Sequence, residues 1–357
     1  MKLVKIASIL ERAVKGKRLS LEEGVALLAS PEIIPLGLAA DAIRKQKHPG
    51  NMVTFVIDRN INYTNVCTTR CRFCAFFRSE EAPDAYILAH EEIFRKIEET
   101  LAVGGTQILM QGGLHPKLGL LYYLDLLREI KKRYNIHIHS FSPPEIWHMA
   151  KESGLSLREV IAQLKGAGLD SIPGGGAEIL DNRVRHYISP RKITWEEWMA
   201  VMHTAHGLGM KTTATMMFGS VETLEARVMH MLRVREAQDQ TGGFTAFIPW
   251  SFQPLHTDLG GTAATGVEYL KTLAVSRIML DNVPNIQASW VTQGAKIAQI
   301  SLVFGANDFG GTMLEENVVR AAGVTNRVPL EEIVQCIKDA GRVPAQRNTL
   351  YEVIKYY

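Results

Sequence analysis

Two periods of apolar and polar positions alternate along this chain, and each change of period marks a boundary between helix and strand. Leu21, Val25, Leu27 and Leu28 fall at helical spacing behind Ser20, a residue type that caps helix starts. Residues 1 to about 50 therefore read as a helical opening that caps the core. From Thr54 the pattern becomes extended, and Phe55-Val56-Ile57-Asp58-Arg59-Asn60-Ile61-Asn62-Tyr63 reads as a first strand. Strand-like runs recur at Thr106 to Gln111, Ile136 to Phe141, Asp170 to Pro173, Lys211 to Phe218, Phe244 to Pro249, Ile286 to Trp290 and Gln299 to Phe304. Between them lie helical stretches such as residues 120–130, where Leu120, Leu124, Leu127 and Ile130 share one face.

Eight strands alternating with helices predict an α/β protein whose parallel sheet closes into a TIM-type (β/α)8 barrel, with an N-terminal helical cap and C-terminal helices. The expected division is a helical extension over 1–50, the barrel over 51–311 and a helical segment packed on the barrel over 312–357. No low-complexity linker interrupts the pattern, which favours one domain. Barrel enzymes build their sites at the C-terminal ends of the strands. That rule selects the loop after Tyr63, Gln111-Gly112-Gly113-Leu114-His115, Ser140 to Glu145, Pro173 to Glu178, Phe218 to Glu222, Pro249 to Gln253 and Asn307 to Gly311.

With 46% hydrophobic residues in 357, the chain can bury a large core, and a net charge of +3 is too small to point to nucleic acid. The first residues, Met1 to Ala7, carry basic side chains but no sustained apolar segment with a cleavage site. No run of about 18 apolar residues occurs, so no membrane insertion and a cytoplasmic location are expected. Four cysteines, three of them clustered, do not make a disulfide framework, and a reducing compartment preserves their thiolates.

Those three, Cys67, Cys71 and Cys74, form a C-x3-C-x2-C triplet directly after the first strand. Structural zinc takes four protein ligands, and simple electron-transfer clusters are normally held by four cysteines. Three cysteines on one short loop can instead hold a four-iron cluster with one iron left open to a small molecule. Structural thiols, or a zinc site completed by a distant histidine or by Cys336, are the plainer alternatives. Cys336 falls in the amphipathic stretch from Leu330 to Ala340 and reads as a buried apolar residue. An iron–sulfur electron carrier is the alternative of a different class, against which stand the long barrel-like remainder and the polar strand ends.

The triplet, with aromatic Phe73 before its third cysteine, resembles the signature of the radical S-adenosylmethionine superfamily. The resemblance implies a [4Fe-4S] cluster on Cys67, Cys71 and Cys74, whose open iron binds the amino and carboxylate groups of S-adenosylmethionine. One electron from an external reductant, such as flavodoxin or ferredoxin, then breaks the sulfonium into methionine and a 5′-deoxyadenosyl radical. By the same resemblance Phe73 packs near the adenine, and Gly112 and Gly113 contact the methionine amino group through their backbone. Glu178, behind Gly174 to Gly176, accepts hydrogen bonds from amino or ribose groups, unless it is only the first-turn acid of a helix. Gly219 belongs to a stretch, Thr215 to Glu222, that approximates the adenine-binding strand without its leading glycine. Arg183, Arg185, Arg191 and Lys192 form a basic run that reads either as a solvated face or as the source of one partner for a carboxylate of methionine or substrate.

Three strings look like the futalosine-route menaquinone enzymes: Gly104 to Pro116, Ser171-Ile172-Pro173-Gly174-Gly175-Gly176-Ala177-Glu178-Ile179, and Thr212 to Gly219. Met110-Gln111 and Phe141-Ser142-Pro143-Pro144-Glu145-Ile146 resemble the cyclic dehypoxanthine futalosine synthases more than the aminofutalosine synthases. The Pro-Gly-Gly-Gly-Ala-Glu string points away from the coenzyme F420 precursor enzyme. The resemblance implies an enzyme acting on an anionic nucleoside-benzoate. The ribose C4′ loses a hydrogen, the carbon radical adds to the benzoate ring, and loss of an electron and a proton restores aromaticity. No step needs a nucleophilic side chain, so placement carries much of the catalysis. Gln111 is the candidate for the ribose hydroxyls and Ser142 for a substrate contact, the alternative for both being strand-end residues that satisfy backbone. His139 is the candidate for proton transfer, the alternative being a buried histidine satisfied by a neighbour.

Overall fold

The computed structural model describes residues 6–357. Its strands are β1 (Met52–Val56), β2 (Asp58–Ile61), β3 (Gln107–Met110), β4 (His137–Ser140), β5 (Ser171–Ile172), β6 (Lys211–Phe218), β7 (Phe244–Ser251), β8 (Asn285–Ile286), β9 (Asp308–Gly311), β10 (Val343–Arg347) and β11 (Val353–Tyr356). Strands β2 to β8 lie side by side in chain order, all parallel. Closure is completed in three steps. Gln287 bridges to Asp308, β9 pairs in parallel with β1, and β1 runs on into β2 across Ile57. Eight strand positions thus surround one axis, as the alternation predicts.

Three expectations about the elements change. Gln299 to Phe304 is not a strand: it lies at the end of helix Trp290–Ser301 and in the turn beyond it, because a short apolar run carries no period that separates the two. The eighth position is β9, whose sequence Asp-Phe-Gly-Gly hides a strand. Glycine is required there, since a Cβ at Gly311 would strike the Asp58 carboxylate. The run from Ile286 to Trp290 shrinks to β8, since Trp290 already opens a helix.

The C-terminal segment is not helical throughout. After helix Leu330–Asp339 it forms β10, parallel to β1, and β11, antiparallel to β10. This pair lies at the N-terminal ends of the barrel strands, where Gln346 Nε2 donates to Gly104 O and Thr349 Oγ1 donates to Gln107 Oε1 at 2.6 Å. Arg347 is anchored on buried Asp308 by two hydrogen bonds of 2.5 and 3.0 Å, and Asp308 also accepts from Thr54 Oγ1. The last strands therefore close the barrel floor. Near the chain's start, helix Leu21–Ala29 packs on helix Leu224–Thr241, and helix Ile33–Lys47 packs on helix Gly266–Met279. The opening helices cover the flank of the barrel, with Ser20 and Glu23 forming a reciprocal cap.

Apolar residues from strands and facing helices fill the space between the layers. Ile138, Ile172, Phe247, Leu127, Ile161 and Val201 are all fully buried, each stabilising by about 1.5–3 kcal/mol. Three histidines are enclosed in this framework. His206 is held between Thr241 and Thr212 at 2.7 Å each, and His230 Nδ1 accepts from Leu180 N–H. Burial pushes His206 down to about 4 and both His139 and His230 down to about 3. An unfolded chain protonates these rings near the ordinary 6.5 while the folded chain does not. Their contribution is complete above that value and is lost as pH falls toward 4, the unfolded state binding up to about three more protons. Urea midpoints should fall between pH 7 and 4.5, and His206→Gln should lower the proton uptake by about one. An unchanged slope in that variant would contradict the assignment.

Candidate active site

The three cysteines sit on the long connection between β2 and helix His90–Ala102. Backbone bonds shape this loop. Cys67 N–H donates to Arg78 O at 3.0 Å, Arg78 N–H donates to Asn65 O at 2.7 Å, and the Arg78 guanidinium gathers the Ala75 and Phe77 carbonyls at 3.0 and 2.8 Å. Other strand ends hold it in place. Thr68 N–H donates to Leu114 O after β3, Arg72 N–H to Ile188 O after β5, and Leu259 N–H after β7 donates to Arg72 O. The thiol positions are thereby set by hydrogen bonds at the barrel mouth.

Cys67 Sγ lies 2.9 Å and Cys71 Sγ 3.6 Å from the same Thr69 hydroxyl. Burial pushes the Cys71 thiol up, against the pull of nearby Lys192. Burial also raises Cys74, to about 11, and the neighbouring sulfurs add to it. Crowded thiols in such a place become thiolates only when a cation joins them, and soft sulfur donors suit iron. The residues present fit an iron–sulfur cluster. Among the described residues no three His, Cys, Asp or Glu side chains are arranged around a single metal ion, and Cys336 sits apart on helix Leu330–Asp339.

Gly112 and Gly113 serve the loop packing directly. A Cβ at Gly113 would strike the Val66 carbonyl oxygen and lie 2.8 Å from Cys67 Cβ, while one at Gly112 would meet the Tyr63 ring at 2.5 Å. Their N–H groups are engaged: Gly113 donates to Thr64 O and Gly112 to Glu145 Oε1 at 3.1 Å. Glu145 was not singled out from the sequence, although Ser142 and Glu145 have the spacing of a capping box. Its buried carboxylate also accepts from Tyr63 Oη at 2.5 Å, Ser142 N–H at 2.7 Å and Ser142 Oγ at 2.5 Å. Burial pushes this carboxyl up, and the bonds from Ser142, Tyr63 and Gly112 work against that rise. One side chain thus ties together the ends of β2, β3 and β4. Ser142, expected at the substrate, has its hydroxyl committed to Glu145 and does not line the cavity.

Glu178 lies on the loop after the neighbouring strand β5, with φ +42°. Lys192 Nζ donates to it at 2.6 Å and stands 5.0 Å from the centre of the Phe73 ring. Burial opposes the charge on Lys192, but Cys71 and Glu178 outweigh burial and hold its pKa above the usual range. The other basic candidates separate clearly. Arg185 is buried with its guanidinium on the carbonyls of Gly176, Ala177 and Ile193, so it shapes the glycine loop, while Arg183 lies on the surface against Asp181. Arg191 borders an outer cleft beside Cys67 and Arg70. Gly219, φ +84°, gives its N–H to Glu222 at 2.6 Å, and a Cβ there would press on Ala264 at 2.9 Å.

A cavity of about 270 Å³ runs along the barrel axis from this mouth to the floor, lined by Gln111, His139, Glu178 and Trp250 among others. His139 Nδ1 is 2.6 Å from Ser171 Oγ, which also meets His137 Nε2 at 2.7 Å. Burial, with the charges of His137 and Arg347, makes its ring too weak a base to take a proton near neutrality. It is better suited to holding a hydrogen bond.

A thiol triplet at the carboxyl mouth of a (β/α)8 barrel is the arrangement expected of the radical S-adenosylmethionine class of enzyme. Residues 61–234 match the radical SAM superfamily, and residues 241–356 match the family described as CofH/MqnC C-terminal region. The chain is 52% identical to a cyclic dehypoxanthine futalosine synthase from Halalkalibacterium halodurans, over 99% of this chain and 96% of that protein. It is 46% identical to the Streptomyces coelicolor protein of the same name, over 96% and 88%. It is also 43% identical, over 99% and 98%, to a 5-amino-6-(D-ribitylamino)uracil–L-tyrosine 4-hydroxyphenyl transferase from Methanopyrus kandleri. Among solved structures, methylornithine synthase superposes with a TM-score of 0.74 at 18% identity, covering 94% of this chain and 97% of that one. The hydrogenase maturase HydG of Carboxydothermus hydrogenoformans gives 0.75 at 18%, covering 97% and 80%, and both show the fold. The chain belongs to the CofH/MqnC family of radical SAM enzymes. Membership implies a [4Fe-4S] cluster and S-adenosylmethionine.

Gly113→Ala should push the Val66 carbonyl and with it the cysteine loop, costing about 1–3 kcal/mol. The expected outcome is a lower iron content after anaerobic reconstitution, while Gly104→Ala, where a Cβ meets nothing but φ is +82°, retains iron. Equal iron content in the two variants would contradict the role given to Gly113.

Proposed function

We propose that the enzyme converts dehypoxanthine futalosine to its cyclic product in menaquinone biosynthesis. The observation that carries this reading is the 52% identity, over 99% of the chain, to a protein named for that reaction. The axial cavity supports it, because a substrate that must bring its ribose C4′ onto its own benzoate ring needs one confined, folded pose. We assign Cys67, Cys71 and Cys74 to three irons of the cluster, the fourth being left for S-adenosylmethionine. Together these groups supply a 5′-deoxyadenosyl radical.

The chain's own residues bind, orient and exclude water. Phe73, Lys192 and Glu178 line the cofactor side of the mouth, with Lys192 and Glu178 presenting paired charges to the polar groups of S-adenosylmethionine. Glu145 acts behind the site as a positioning residue, since its four hydrogen bonds fix Tyr63, Gly112 and Ser142. Gln111 reaches the glycine loop, where a Cβ at Gly175 would strike its Nε2, and from there it can meet the ribose hydroxyls. No helix among the described residues is long and apolar enough to cross a membrane. We place the reaction in the reducing cytoplasm, with a flavodoxin or ferredoxin as the electron donor.

The identity to the 4-hydroxyphenyl transferases favours a second reading, a radical transfer from tyrosine to a ribitylaminouracil. Anaerobic incubation of the reduced enzyme with S-adenosylmethionine and each substrate set separates the two. The expected result is a product with the mass of dehypoxanthine futalosine less two hydrogens, and no consumption of tyrosine. An unreacted futalosine beside a tyrosine-derived adduct would overturn the cyclase reading.

A further inference from the structure

Tyr351 occupies a conformation that bulky side chains avoid, with φ +68° in the turn between β10 and β11. Its ring lies 3.8 Å from the Arg347 guanidinium carbon. The residue is enclosed by the fold, keeps some accessible surface because it faces the axial cavity, and its hydroxyl makes no hydrogen bond to another described residue. Among the Lys and Arg side chains described, Arg347 alone lines that cavity. A guanidinium has five donors. Three are engaged here, two on Asp308 and one on Asn348 O at 3.1 Å, which leaves two N–H bonds.

We propose that this turn is the subsite for the carboxylate of the substrate's benzoate, with Tyr351 Oη and the free N–H bonds of Arg347 as its donors. The proposal rests on the reading above, in which the substrate is an anionic nucleoside-benzoate. Cavity direction supports it: a molecule whose ribose faces the mouth at Glu178 extends its other end toward the floor at Arg347. Asp308 cancels the formal charge of Arg347, so the anion is held by directed donors and not by long-range attraction. Asp58, also on the floor, accepts from Met313 N–H and Gln107 Nε2, and burial pushes its carboxyl toward the neutral form, which weakens repulsion. Such a site also explains why the αL tyrosine is tolerated. Its backbone is fixed by Tyr351 N–H to Asn348 O and Asn348 N–H to Glu352 O, which aims the phenol into the barrel.

The test is binding, measured calorimetrically on anaerobic holoenzyme with S-adenosylmethionine present. The ligands are dehypoxanthine futalosine and its analogue carrying hydrogen in place of the ring carboxylate. Wild type should prefer the acid by about 30-fold or more, and Tyr351→Phe should lower that preference about tenfold. Affinity for S-adenosylmethionine, iron content and melting midpoint should not move, since the hydroxyl makes no hydrogen bond within the fold. Equal binding of acid and analogue by wild type, or full preference retained in Tyr351→Phe, would overturn the subsite. Wild type that prefers the acid yet forms no cyclic product would uphold the subsite and sink the cyclase reading. Wild type that binds neither ligand would sink both.

Discussion

Burial resists charge on the thiols of Cys71 and Cys74 until a cation joins them, and the mouth of this barrel is built around that constraint. Burial and the neighbouring sulfurs raise Cys74, burial raises Cys71, and backbone hydrogen bonds set the path of the loop that carries them. The loop is anchored on the turns after β3, β5 and β7, so its geometry is inherited from the barrel. Anything that must lie close to it is correspondingly small, as Gly113 shows against Val66 and Cys67. A cluster held by these cysteines would offset the cost of their thiolates.

The same barrel needs a closed lower end if its interior is to hold a radical away from water. Barrel strands alone leave that end to side chains, and here the C-terminal strands add Arg347, Thr349 and Tyr351 to it. A buried ion pair is a costly way to fasten a segment, because removing either partner strands a charge at about 3–5 kcal/mol. Asp308 offsets this with four donors, from Thr54, Gly310 and the two Arg347 nitrogens. Mouth and floor are linked through β9, since Asp308 begins the strand that closes the cylinder beside β1, which runs on into β2 and so into the cysteine loop.

Much of this was legible in the sequence. The thiol spacing, the alternation of periods and most strand positions follow from residue order, because they depend on local pattern. What was hidden depends on contacts distant in sequence. The strand Asp308–Gly311 has the composition of a turn, and its pairing with β1 more than 250 residues away decides its conformation. Ser142 was read as a substrate contact, whereas Glu145 three residues on claims its hydroxyl. The roles of Arg347 and Tyr351 left no local signal, since a residue at the end of the chain reaches the barrel interior only through the β1–β10 pairing. His139 was read as a candidate for proton transfer; it lines the cavity, and its weak basicity comes from burial that no local pattern reveals.

The central claim is that this loop supplies three of the cluster's four ligands and leaves one iron for the sulfonium cofactor. Low-temperature EPR of the reduced, reconstituted protein before and after addition of S-adenosylmethionine tests it most directly. The expected result is a clear change in the g values and line shape of the cluster signal when the cofactor coordinates. A spectrum indifferent to saturating S-adenosylmethionine, at full iron content, would mean that the fourth position is already occupied.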